Sequence, residues 1–244
     1  MSIAALHAVH DRPDPVLAAA LEDAIRRSDN CAIRRVIVGL QDQLSEGTAG
    51  TVAAFERVLT AAGAGIERGP QTAPAEATCV PYLARHRGGL AGGDLGRAPA
   101  LGTAQWSEYD AIAFTHALST GAYGAEGAYL LRLMGLPKEP QLEEPLPPPA
   151  PPLDWGAGVA FPVSWRPAWK AGWGGSQQRP PHFLAGQLVV LTLGHIHVAA
   201  VAAFLPGSEP PDDNPGATRA PDALELMFGA VRSGLEAEHV GGIG

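Results

Sequence analysis

The stretch Leu17-Ala-Ala-Ala-Leu-Glu-Asp-Ala-Ile-Arg-Arg-Ser28-Asp29-Asn30-Cys31-Ala32 decides how this chain is read. Apolar residues at Val16, Leu17, Ala20, Leu21, Ala24 and Ile25 recur at helical spacing, with Asp14 as N-cap and Pro15 at the first helical position. Ser28 and Asn30 interrupt the pattern. It resumes through Ile33, Val36, Ile37 and Leu40 as a second helix. A third helix is expected from Thr51 to Ala62, stopped by Gly63.

Working outward, residues 64 to 103 are rich in glycine, proline and alanine and hold no period, so they read as a long irregular loop. Ser107-Glu-Tyr-Asp110 is a capped start for a helix carrying Ile112, Phe114, Ala117 and Leu118, and another helix is expected over Glu126 to Met134. The run from Pro145 to Pro152 is a stiff connector. Beyond it the texture changes. Val159 to Trp173, His182 to Leu193 and Val198 to Leu205 are strand-like, and a last helix is expected from Ala220 to about Glu238 with Pro221 and Asp222 in its first turn. The expected fold class is α+β, with a helical lobe over 1–150 and a sheet lobe over 151–244.

Composition narrows the function. The chain has 244 residues, 46% of them hydrophobic, enough for a substantial core. Its net charge of -8, from 17 basic and 25 acidic side chains, argues against a phosphate-backbone binder, so no nucleic-acid partner is expected. Lys138 and Lys170 are the only lysines. Cys31 and Cys79 have no metal-type spacing; a single disulfide between them stays open, but nothing suggests a disulfide scaffold. The longest apolar stretch, Leu188 to Leu205, is broken by Gly194, His195 and His197 and reads as two strands and a turn rather than a membrane span. No basic region followed by an apolar run opens the chain. As written, the expected location is the cytoplasm, an expectation that lapses if the true start lies upstream.

Ser28-Asp29-Asn30, followed far downstream by Lys170-Ala171-Gly172 in Trp165-Arg-Pro-Ala-Trp-Lys-Ala-Gly-Trp-Gly-Gly, resembles two signatures of the penicillin-recognising serine hydrolases, the class A β-lactamases in particular. Gly39 and the segment Phe55 to Gly63 match the helix that comes next in that family, and two strands and a C-terminal helix follow the lysine strand as they do there. The resemblance runs over nearly the whole chain and is carried by these two segments. It implies a β-lactamase-like fold acting on an amide or lactam through an acyl-serine. Ser28 is then the proton-relaying serine, Asn30 orients the substrate amide, and Lys170 anchors a substrate carboxylate. Ala171, Gly172 and Trp173 would line the substrate, with Ala171 lacking the hydroxyl that the family carries and Gly172 keeping the strand edge open to a ligand.

Two departures qualify the implied chemistry. No Ser-x-x-Lys, the family's nucleophile motif, occurs in the chain, and only 27 residues precede Ser28. Glu67, Glu76 and Asp94 stand where the family's hydrolytic glutamate belongs, none in its Glu-x-x-Leu-Asn context. Without a nucleophile, the expectation is an inactive chain. It is then a fragment or mis-started frame of a serine hydrolase, a non-catalytic relative binding a small-molecule or peptide ligand, or a subunit completed by a partner or second copy. The family's N-terminal strands would be missing, which leaves an open sheet edge able to self-associate. No cofactor or metal is expected. His195-x-His197 would place two rings on one strand face without a third ligand, and a glycine-led hairpin end explains it more simply. Trp165, Trp169 and Trp173, spaced by four, would share one face of a strand as core or cleft wall. Ser-Asp-Asn is also an ordinary cap-and-turn tripeptide.

Overall fold

Helix-forming periodicity in the first half and alternating apolar residues in the second produce an α+β chain. It divides into two compact units, Met1–Pro145 and Leu146–Gly244. The computed structural model describes residues 2–8, 15–44, 46–65, 71–72, 99–100, 107–138, 156–175, 183–204 and 215–241.

In the first unit, α1 (Ser2–Ala8), α2 (Pro15–Arg26), α3 (Asn30–Gln43) and α4 (Gly47–Ala61) are followed by α5 (Glu108–Ser119) and α6 (Gly124–Met134). The centre is α3. Ala32, Val36, Ile37, Val38 and Leu40 are all buried, so its apolar surface wraps most of the helix instead of forming one stripe. It packs on α1, α2 and α4, while α6 packs on α1, α2 and α5. The short α1 has no polar face over Ile3-Ala4-Ala5-Leu6. All four are buried, a helix that periodicity did not reveal because it spans only two turns.

Starts and stops follow local chemistry. Ser107 and Asp110 form the expected capping box of α5, and Asp110 also accepts the Gly65 N–H at 2.6 Å, tying the end of the α4 segment to the start of α5. These donors hold the Asp110 carboxyl below its ordinary range, the Gly65 bond most strongly, then the Ser107 hydroxyl and backbone. Gly63, in the left-handed region at φ 71°, stops α4 as expected, although that helix begins earlier than expected, at Gly47. Tyr123 donates to the Val58 carbonyl at 2.8 Å, and burial pushes its phenol up to about 12. The stretch expected to be an irregular loop holds a small antiparallel pair, β1 (Gln71–Thr72) with β2 (Pro99–Ala100). Glu67, Glu76 and Asp94 lie outside the described residues.

The second unit is a β meander backed by helices. A short helix α7 (Ala157–Ala160) and a 3-10 turn (Val163–Trp165) lead into β3 (Ala168–Gly175), β4 (Phe183–Leu193) and β5 (Ile196–Phe204), and α8 (Pro215–Gly241) closes the chain. The sheet is antiparallel in the order β3-β4-β5, with Lys170 opposite Leu188 and Leu188 opposite Val201. One face carries Trp169, Val189, Leu191, Ala200 and Ala202 against Leu224 and Phe228 of α8 and against Ala157, Ala160 and Phe161. This is the unit's core.

Several expectations need correction. Val159 and Ala160 are helical and Trp165 sits in the 3-10 turn, so the strand begins only at Ala168. Arg166, left-handed at φ 45°, makes the break between turn and strand. Trp165 therefore does not share a strand face with Trp169; its ring stacks on Phe161 with centroids 5.9 Å apart. The last helix begins at Pro215, which takes the first-position role assigned to Pro221. The reading of both His195 and His197 on one strand face gives way to the simpler one also expected, a glycine-led hairpin end: Gly194, at φ 64°, and His195 form the two-residue turn between β4 and β5, and only His197 is on the strand.

Candidate functional site

The Ser-Asp-Asn tripeptide is the hinge between two helices, and each residue does a different mechanical job. Ser28 ends α2 in the left-handed conformation, φ 51°, where glycine is the usual occupant. That backbone turn lets Asp29 N–H reach back to the Asp23 carbonyl at 3.4 Å. Asp29 is extended and buried. Its carboxylate accepts the Ala32 N–H at 2.8 Å as the N-cap of α3, satisfying one of the donors that every helix start leaves free. Asn30 is the first residue of α3. Cys31, next in line, is buried and disulfide-bonded, which pins the beginning of α3 covalently. The chain's other cysteine, Cys79, lies outside the described residues. The sequence left a single disulfide open without requiring one, and Cys31 is bonded. Asp29, to which the resemblance assigned no role, fits the ordinary cap-and-turn reading of the tripeptide and is the residue that holds the loop.

The second group of predicted residues is contiguous on β3. Strand alternation sends Trp169 and Ala171 to the core face, Trp169 buried and Ala171 packed against the same cluster. Lys170 faces the other way. Its ammonium donates to the Ala171 carbonyl, and desolvation lowers its pKa from 10.5 to about 8, although part of the side chain reaches solvent. Gly172 is exposed, and a side chain added there would meet nothing within 4 Å. Trp173 pairs with Ala185. Ala171 thus offers the strand's far side its backbone only.

A second feature, also unanticipated, positions β3. Gln187 is a buried polar residue inside the apolar run of β4, and its Oε1 accepts the Ala157 N–H at 2.8 Å, capping α7. Gly156 approaches that amide so closely that a Cβ there would sit 2.3 Å from Oε1. Gly158 lies over the Trp169 indole, where a Cβ would come within 3.0 Å of the ring. The single polar residue in Phe183-Leu-Ala-Gly-Gln-Leu-Val-Val-Leu was the available signal for this clamp.

The Ser28 loop belongs to the helical unit and the Lys170 strand to the sheet unit. Among the described residues, no group of three His, Cys, Asp or Glu side chains stands together as a metal site. His197 contacts Thr192 instead, with 3.4 Å between Nδ1 and Oγ1. No described helix is long and apolar enough to cross a membrane. No protein-family model, curated protein or solved structure matches the chain.

Proposed function

We propose that the chain is a β-lactamase-like relative of the penicillin-recognising serine hydrolases. Its Lys170 strand binds an amide- or lactam-type small molecule bearing a carboxylate, and the chain as it stands does not acylate. The observation that carries the reading is Lys170. It is a cation in a desolvated place on β3, which among the described residues pairs only with β4, two residues before an exposed Gly172 with free space around it. A partly desolvated ammonium attracts a carboxylate more strongly than one in bulk water, and an open strand edge can pair with the backbone-like amide of such a ligand. Support from the helical unit comes from Ser28, which keeps a left-handed backbone where glycine would be unstrained; strain of this kind clusters at functional loops. The antiparallel order β3-β4-β5 followed by α8 agrees with the order that the resemblance implies.

On this reading Lys170 meets the ligand carboxylate, and the strand edge at Gly172 meets its amide. Acylation would require a serine deprotonated by a neighbouring base, and no Ser-x-x-Lys occurs in the sequence. The test is calorimetric titration with benzylpenicillin alongside mass spectrometry after exposure to a fluorescent penicillin. The expected result is reversible binding, weakened at least about tenfold by Lys170→Met in line with loss of one charge-assisted contact, and no covalent adduct. Stoichiometric labelling at any serine would overturn the non-acylating part. Absence of binding, or binding indifferent to Lys170→Met, would overturn the site.

A further inference from the structure

Among the described residues, the flank of α8 lies beside the outer edge of β5. Among the described residues β5 pairs only with β4, so no described strand takes up its second row of backbone donors and acceptors. The strand reads Ile196-His-Val-Ala-Ala-Val-Ala-Ala-Phe204. It carries none of the lysines, glutamates or prolines that normally block an edge against pairing.

The helix above it is oriented by its own contacts. α7 covers β3 and β4, through Gly158 on Trp169 and Ala157 on Gln187, and α8 lies over β4 and β5. Arg232 of α8 donates to the Ala160 carbonyl at 2.9 Å, so that flank of α8 points toward α7 and β3. At 100° per residue, the opposite flank, toward the free edge of β5, carries Ala223, Met227, Ala230, Val231 and Gly234. Met227 is 43% exposed and Val231 37% exposed, and the other three are small.

We infer that this surface is the interface of an isologous homodimer, in which two β5 strands pair antiparallel about a two-fold axis at Ala200 and the two α8 helices meet above them. The strand is self-complementary in that register. Ile196 falls opposite Phe204, Val198 opposite Ala202, and Ala199 opposite Val201, so residues on the core face stay on the core face across the axis. No like charges meet, because β5 carries no charged side chain. The helix spacing agrees independently. A helix seated between β4 and β5 lies about one strand spacing from its own edge, so its symmetry mate is about two spacings away. Two spacings are about 10 Å, the distance at which helices pack. Alanine and glycine on the facing flank permit that approach. The six-stranded sheet that results is continuous, and Met227 and Val231 leave water. The inference uses the sheet unit alone and does not depend on the ligand.

Sedimentation equilibrium of the full chain tests it. A mass of about twice 25.2 kDa is expected. Met227→Glu/Val231→Glu on the exposed helix flank and, separately, Ala203→Lys on the exposed end of β5 should each raise the dissociation constant at least tenfold with circular dichroism unchanged. Val163→Glu, at an 88% exposed position elsewhere on the unit, should remain dimeric. A wild-type monomer at high concentration, as when another segment covers the edge, would overturn the proposal. So would an open-ended polymer, or a dimer indifferent to both the helix and the strand variants.

Discussion

Replacing Gly156 by alanine should cost the sheet unit more than any surface change of the same size. The glycine sits at φ 58° and ψ -115°, a combination that is very unfavourable for residues with a Cβ, and holding such a residue there costs about 1–3 kcal/mol. The new methyl would also lie 2.3 Å from Gln187 Oε1 and 2.9 Å from its Cδ, so the amide must leave. When it does, the buried Ala157 N–H loses its acceptor, a further cost of about 1–3 kcal/mol. The sum, about 2–6 kcal/mol, is a large part of the 5–15 kcal/mol that typically separates folded from unfolded. Four of the five tryptophans, Trp155, Trp165, Trp169 and Trp173, belong to the sheet unit, so fluorescence in a urea titration follows that unit selectively. With a slope of about 2 kcal/mol per molar, the midpoint should fall by about 1–3 M. Gln187→Ala alone should cost about 1–3 kcal/mol, and the double variant should cost less than the sum, because only one of the two changes can break the same hydrogen bond. A Gly156→Ala midpoint within about 0.2 M of wild type, or strict additivity, would refute the clamp.

Two further expectations address the predicted site residues. Asp29→Ala should destabilise the helical unit by about 1–2 kcal/mol through loss of the α3 N-cap, whereas Asp29→Ser, which keeps an accepting oxygen, should recover most of it; equal losses in thermal melts would argue against capping. Lys170 carries a pH signature. The unfolded chain keeps this proton up to the ordinary lysine range, and the folded chain releases it near 8. The unfolded state therefore binds more protons between about pH 8 and 10.5, and stability should rise with pH across that window. Below pH 8 the penalty for the buried ammonium is fully present. It corresponds to at most about 3 kcal/mol, reduced by the part of the side chain that reaches water. Lys170→Met should abolish the rise, and parallel pH profiles for the two proteins would contradict the assignment.

Much of the architecture was legible without coordinates because it rests on local rules. Val16 to Ile25 repeats at 3.6 residues, Ser107 and Asp110 announce a capped start, Gly63 marks a stop and Gly194 a hairpin. Each of these is settled by neighbours within a few positions. The order of helices before strands, and hence the α+β class, followed from the same periods. What the local pattern could not supply was anything decided across the chain. Trp165, four residues before Trp169, falls in a turn instead of on the strand, because the left-handed Arg166 lies between them and breaks the period. Nothing in the spacing of Cys31 announces that it is bonded, since a disulfide depends on two backbones converging. Asp29 was one member of a cap-and-turn tripeptide, and Gln187 one polar letter in a strand. Their importance comes from helix ends that tertiary packing buries, where an unanswered N–H is costly and one side-chain oxygen answers it. The sequence alone therefore determined the elements and placed Ser28 and Lys170 on a loop and a strand. Only the folded chain decided which faces are buried, that Ser28 bears a left-handed backbone, and that Lys170 points away from the core with its charge partly stripped of water, because desolvation and strain exist only once distant segments have met.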